Sequence, residues 1–338
     1  MRKFLGSLAC LILLSSGPVA AGVDGTNTRK PLPVVDMEVL QIQVILDHLG
    51  FSPGVLDGRR GQSLTAALRG FQTSRGLKVT GKDDAETLEA LKPYRGLRAT
   101  RNLYLTPDAL SGPFVHPMPK DPAEQGKLVS LGYRGPLEKL AEMFHTTPAV
   151  LRALNDPKAL LQPGTVLVFP NALPTSRAYP AEFDPDWRKT LNDLNVDAVQ
   201  PIGAKIVVDR SEKVLKVYDA EDRLVAQFSA TMGSRHDPLP IGRWKIQGAD
   251  YNPRFHYNPE LFWDVSDRKA KVQLPPGPNG PVGVVWLDLN KPHYGIHGTP
   301  EPQTIGRAES HGCIRLANWD AARLALMVKP GTPAVFQE

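Results

Sequence analysis

Cysteine is nearly absent from this sequence: the 338-residue chain holds two, Cys10 and Cys313. Cys10 lies where M-R-K precedes an apolar run from Phe4 to Leu14 and then S-S-G-P-V-A-A, the basic head, hydrophobic middle and small-residue site of a secretory signal. Residues 1–21 are therefore expected to be a signal peptide of an exported protein. A membrane anchor is the alternative, but the run is shorter than the roughly 20 apolar residues that span a bilayer. A lipid-bearing cysteine would follow the hydrophobic run, whereas most of the run follows Cys10. Removal of the signal leaves Cys313 alone, which excludes an intramolecular disulfide. A strong excess of one charge is also missing. The formal charge of +5 falls by two when Arg2 and Lys3 are removed, which gives no reason to expect nucleic acid as a partner.

Proline is abundant, with 32 residues, and it crowds into stretches such as L-T-P-D-A-L-S-G-P-F-V-H-P-M-P-K-D-P. Such stretches read as linkers between compact pieces, placed here at 94–128 and 172–200. The expected fold class is therefore multidomain.

Within 33–93, Ile42, Ile45, Leu46 and Leu49 fall at i, i+3, i+4 and i+7, and Leu64, Ala67, Leu68 and Phe71 repeat the spacing. Asp83 and Glu86 at capping-box spacing, followed by Leu88 and Leu91, mark a third helix. The pattern predicts a small all-α bundle. The run L-G-F-S-P-G-V-L-D-G-R-R-G-Q-S-L-T-A-A-L-R-G-F-Q-T-S-R-G-L-K-V-T-G resembles the peptidoglycan-binding domain family, which implies attachment to glycan strands; a helical spacer that binds nothing is the other reading. In 129–171, Leu137, Leu140, Ala141 and Phe144 mark a helix, Thr147-Pro148 opens another, and L-Q-P-G-T-V-L-V-F-P supplies a turn and a strand. This small α+β piece resembles the LysM carbohydrate-binding module. That family's first strand has no clear counterpart in S-L-G-Y-R-G, so sugar binding and a purely structural role both stay open.

From 201 to 338 the period changes to two, and I-V-V-D-R-S-E-K-V-L-K-V-Y-D-A-E-D-R-L-V-A-Q-F-S-A-T-M-G predicts a β-meander. Further strands are expected at Val284–Leu289 and Tyr294–His297, and Ala321, Leu324, Ala325 and Val328 mark one late helix in a mostly β domain. Chemistry concentrates in His293, His297 and the pair His311/Cys313. Metal binding by His293 and His297 is disfavoured: Pro292, Gly295, Gly298 and Pro300 break a helix, and on a strand the two imidazoles stand about 13 Å apart, at about 3.3 Å per residue. Nucleophilic catalysis remains, with an imidazole taking the thiol's proton or lowering its pKa. Gly312 would let a carbonyl approach the backbone N–H groups that hold an oxyanion. An inert, buried Cys313 is the alternative, against its polar, glycine-flanked setting.

The run Y-G-I-H-G-T-P-E-P-Q-T-I-G-R-A-E-S-H-G-C-I-R-L-A-N-W-D resembles the signature of the L,D-transpeptidase catalytic domain family, with P-P-G-P-N-G-P-V-G upstream and K-P-G-T-P-A-V downstream. Carried over by position, the resemblance implies Cys313 as nucleophile and His297 as base, with Gly298 offering a backbone carbonyl to orient it. His311, Gly312 and Ser310 would shape or support the oxyanion site, and Arg315 and Tyr294 would meet substrate; His311 as a loop brace and Arg315 as a loop salt bridge are the alternatives. Gly280 stands where many relatives have Asn. The aromatics from Tyr251 to Tyr257 and Trp263 are candidates for an acceptor groove, or simply core. The implied reaction cuts a tetrapeptide stem after its third residue and joins the acyl group to a second stem, at the periplasm or cell wall, with no metal or organic cofactor. An L,D-carboxypeptidase, an amidase acting on a wall-linked protein and an inactive wall-binding scaffold are the rival readings.

Overall fold

The structure, a computed structural model, describes residues 31–261, 270–310 and 312–338. The signal peptide, Cys10, Trp263 and His311 lie outside the described residues.

Three helices and a short strand form the first module: α1 (Met37–His48), β1 (Phe51–Ser52), α2 (Gln62–Ser74) and α3 (Ala85–Leu91). The Asp36 carboxylate caps α1 by accepting from the N–H groups of Glu38 and Val39 at 2.9 and 3.2 Å. The cap of α3 is Asp84, which accepts from Thr87 N–H at 3.0 Å, rather than the expected Asp83; that residue is drawn away by Arg60, whose guanidinium forks onto its carboxylate at 2.7 and 2.8 Å. Helix α1 is covered on two sides. Val39, Ile45 and Leu46 join Phe51, Leu68 and Phe71 in the module's core, while Leu40 and Val44 pack on Leu56 and Ala172.

The second module comprises β2 (Thr100–Tyr104), α4 (Pro122–Gln125), α5 (Pro136–Met143), α6 (Pro148–Leu154) and β3 (Val166–Pro170). Strands β2 and β3 pair antiparallel, with Asn102 opposite Val168, and Phe144 stacks on Phe169 with ring centroids 4.2 Å apart. The first strand therefore lies inside a segment expected to be a linker. It escaped notice because T-R-N-L-Y is half solvated: no residue of it is fully buried.

The second expected linker also holds structure. Helix α7 (Pro185–Asp193) starts with Asp184 as cap and Pro185 in its first turn. Its Trp187 and Leu191, with Leu194 and Val196 beyond it, are buried in the C-terminal core.

That core lies against β4 (Lys205–Asp209), β5 (Val214–Tyr218), β6 (Leu224–Ser229), β7 (Thr231–Met232), β8 (Gly242–Tyr251), β11 (Val285–Leu289), β12 (Gly295–His297), β13 (Ile314–Arg315), α8 (Asn318–Met327) and β14 (Pro333–Gln337); a separate hairpin pairs β9 (Phe255–Tyr257) with β10 (Val272–Leu274). The large sheet has the order β1-β6-β5-β4-β14-β8-β11-β12-β13-β7. Its first strand is borrowed: β1 of the helical module adds parallel to β6, Phe51 opposite Gln227.

Helix α8 is buried almost all round because the sheet covers one side and the two N-terminal modules cover another. His145 of the second module lies flat on Trp319, with ring centroids 5.0 Å apart. The Arg323 guanidinium donates to an Asp47 carboxylate oxygen at 3.0 Å and to the Asp47 carbonyl at 2.7 Å, and His145 Nδ1 meets the other Asp47 oxygen at 2.9 Å. Burial works against the Asp47 charge, but His145 and Arg323 outweigh it and hold the carboxyl below its usual value. A buried ion pair of this kind is weak evidence for added stability, since desolvation offsets the attraction. Residues 32–338 accordingly form one compact unit rather than beads on linkers. Among the described residues no helix is long and apolar enough to cross a membrane.

Candidate active site

Strands β12 and β13 run parallel, with Ile296 opposite Ile314 and His297 opposite Arg315, so Cys313 sits one step before β13, beside Gly295. Side chains alternate along a strand, which puts Ile296 and Ile314 in the core and turns His297, Cys313 and Arg315 to the other face. Trp286, opposite His297 on β11, shares that face, and its ring stacks on the imidazole with centroids 5.5 Å apart. A side chain at Gly295 would collide with the same indole, at 2.4 Å from its Cζ2.

His297 Nδ1 lies 2.7 Å from the Gly298 carbonyl oxygen. A carbonyl only accepts, so Nδ1 carries the proton and Nε2 is left with its lone pair. Burial, with a smaller push from Arg315, brings the imidazole pKa down to about 4 despite the favourable bond to Gly298. The ring is therefore neutral at pH 7 and able to receive a proton.

Burial pushes the Cys313 thiol up, against the Gly295 N–H that points at the sulfur and the Arg315 charge. Its S–H donates weakly to the His293 carbonyl at 3.7 Å. The influences that favour the thiolate come from the Gly295 N–H and the Arg315 charge. The resting pair is a neutral thiol and a neutral imidazole.

The turn before Cys313 is pinned by Ser310, whose hydroxyl donates to the Cys313 carbonyl at 2.7 Å and accepts from Gly233 N–H at 2.6 Å. Gly312 has φ +95°, and a Cβ there would lie 2.7 Å from the Tyr294 ring. Both facts require glycine. Behind the imidazole, buried Asn318 abuts Gly298 so closely that a Cβ on that glycine would stand 2.0 Å from Asn318 Oδ1. The Asn318 amide donates to Glu142 of the second module at 2.8 Å and to the Pro278 carbonyl at 3.1 Å.

Residues 203–336 match the family model described as the L,D-transpeptidase catalytic domain, and residues 36–91 match the one described as "Putative peptidoglycan binding domain". The C-terminal domain thus carries a match to the L,D-transpeptidase catalytic domain family. Among curated relatives, "Putative L,D-transpeptidase YkuD" of Bacillus licheniformis is 35% identical over 128 residues, which cover 38% of this chain and 62% of that protein. The Bacillus subtilis protein of the same name is 56% identical over 55 residues, 16% of this chain and 34% of that one. "Probable L,D-transpeptidase YbiS" of Escherichia coli K12 is 29% identical over 137 residues, 39% of this chain and 44% of that protein. The chain thus spans less than two thirds of the length of each of these relatives.

Of the residues singled out for the transpeptidase domain, the fold gathers Cys313, His297, Gly298, Gly312, Ser310, Tyr294 and Arg315 around one end of β12 and β13. Ser310 and Gly312 act on the shape of the turn. Arg315 donates through Nη1 to the Glu309 carbonyl at 3.3 Å and so also ties the turn together. Tyr251 stacks on Trp187 of α7 at 4.6 Å between centroids, a packing contact with a helix inside the second expected linker. Trp286, Asn318 and Glu142 were not foreseen. Asn318 stood in the quoted A-N-W-D, but its partner lies 176 positions away. Among the described residues no group of three or more metal-ligating side chains converges.

Proposed function

We propose that the protein is an exported peptidoglycan L,D-transpeptidase that works through a thioester on Cys313. The single observation that carries this reading is the His297–Gly298 bond, which leaves Nε2 as a base on the strand beside the thiol, on the same face. As the donor stem binds, the thiol passes its proton to Nε2 while sulfur attacks the carbonyl of the third residue. The bond to the terminal D-alanine then breaks, and the imidazolium returns the proton to the departing amine. The amine of a second stem attacks the thioester, gives up its proton to His297 and releases the cross-linked product with the thiol restored. Backbone N–H groups at the Gly312–Cys313 turn are the donors proposed for the oxyanion.

The resting neutral pair suits this sequence, because a thiol held protonated until substrate arrives is less exposed to oxidation. The helical module's match to a peptidoglycan-binding family supports attachment to the wall, and the second module, in which α5 and α6 precede β3, keeps the helix–helix–strand order for which a LysM-like role is proposed. Bound to a mesh of stems, the enzyme meets acceptor amines often, and alignment of the amine favours cross-linking over water. The deciding experiment incubates the protein with disaccharide tetrapeptides and counts products: dimers joined between third residues are expected, whereas tripeptide monomer alone at high donor concentration would make it a carboxypeptidase.

A further inference from the structure

Between α2 and the catalytic domain lies a cleft of about 470 Å³ with walls from both, reaching the segment Ile305–Arg307 that leads to Cys313. Arg69, Lys213 and Arg307 line it. No carboxylate pairs with Arg69 or Arg307 among the described residues, and Lys213 spends one N–H on the Gly306 carbonyl at 2.9 Å, leaving two. Glu212, the acid on the wall, is engaged by Lys216. Ser63 and Ser211 also line it, the Ser211 hydroxyl donating to the Asp209 carboxylate at 2.8 Å. Ser229 adds a stronger sign: it lines the cleft, is 3% exposed, and its hydroxyl has no hydrogen-bond partner among the described residues. Buried hydroxyls are nearly always satisfied, so an unpartnered one in the cleft wall marks a polar site. Three cations around one cleft fit a flexible chain that carries carboxylates.

We propose that this cleft is a second binding site, for a carboxylate-bearing glycopeptide segment, separate from the donor and acceptor positions at Cys313. The choice of a wall fragment as ligand rests on the transpeptidase reading; the site's charge and shape do not. The cleft is wired to the nucleophile. Gly306 N–H donates to Thr231 Oγ1 at 2.8 Å, and Thr231 sits opposite Arg315 in the β7–β13 pairing. Occupancy would therefore hold the peptidoglycan-binding module against the chain that carries Cys313, so that engagement with the wall steadies the turn it reacts from.

The test uses the full protein alkylated at Cys313 with iodoacetamide, which blocks the catalytic position. A disaccharide tripeptide is titrated against it, with neutral N-acetylglucosamine tetramer as control, by calorimetry and hydrogen exchange. The expected result is protection of 62–69 and 305–307 by the tripeptide and not by the neutral tetramer, weakened at least about tenfold by R69A/R307A and by raised salt. Unchanged affinity in that double variant, or protection absent from both segments, overturns the site. Acylation of Cys313 in unblocked protein is measured alongside: if it persists while the cleft result fails, this inference falls and the transpeptidase reading stands.

Discussion

The Asn318 amide, directly behind the Gly298 backbone that orients His297, donates a hydrogen bond at 2.8 Å to Glu142, a residue of a different module. Burial raises the Glu142 carboxyl from 4.5 to about 8, in spite of its bonds to Asn318 and Tyr133. Part of what braces the candidate catalytic base is thus a neutral carboxylic acid supplied from outside the catalytic domain.

That protonation state has a measurable signature. A carboxyl whose folded pKa is raised binds its proton more tightly in the folded than in the unfolded chain, so its stabilising effect is complete below about pH 4.5 and is lost as the pH rises through about 8. Asp320, also buried and raised to about 7, acts in the same direction. The melting temperature is expected to fall between pH 6 and pH 9, and Glu142→Gln, which keeps an acceptor for Asn318 without ionising, is expected to flatten part of that fall. Parallel profiles for the two proteins would show that Glu142 is ionised when folded.

Ser310→Ala removes a donor to the Cys313 carbonyl and leaves Gly233 N–H without its buried acceptor. A loss of about 1–3 kcal/mol in denaturant unfolding is expected, together with slower acylation of Cys313. Unchanged stability would mean that the hydroxyl does not pin the turn.

The extent of the catalytic unit can be tested by truncation. A chain beginning at residue 203 lacks α7, whose Trp187 and Leu191 are 1% and 0% exposed in the C-terminal core, and lacks β1 on the sheet edge. Loss of a buried tryptophan alone removes about 3–5 kcal/mol in typical cores. Such a chain is expected to unfold at much lower denaturant concentration than the full protein. Equal midpoints would make the N-terminal modules separable after all.

The same contrast shows what the sequence disclosed. Cys313 and His297 stand out as candidates because the chemistry proposed for them depends on residue type within a short run, S-H-G-C and Y-G-I-H-G, and the β-meander from 204 onward is legible because its period of two is local. Trp187 was hidden by its proline-rich flanks, although Asp184 and Pro185 form a helix start. Strand β2 was hidden by solvent, since a strand with no fully buried residue shows no alternation. The contacts of His145 with Trp319, Asp47 with Arg323 and Glu142 with Asn318 join residues far apart in the chain, and nothing in composition or spacing announces such pairs.

The resting protonation of the pair also predicts how Cys313 reacts with a small reagent. Because burial raises the thiol and His297 is neutral from about pH 5 upward, iodoacetamide alkylation is expected to be slow at pH 7 and to rise only in the alkaline range. His297→Ala is expected to leave that profile nearly unchanged while cutting acylation by a tetrapeptide donor at least about a hundredfold, the range of general-base catalysis. A marked loss of alkylation at pH 7 in the variant would instead reveal a preformed thiolate–imidazolium pair.

Intact-protein mass spectrometry after brief incubation with a disaccharide tetrapeptide tests the thioester most directly. The account predicts a mass increase equal to the donor less D-alanine, located to the peptide containing Cys313 and absent from Cys313→Ala. An adduct on another residue, or cross-linked product formed by Cys313→Ala at a rate near that of the parent, would contradict it.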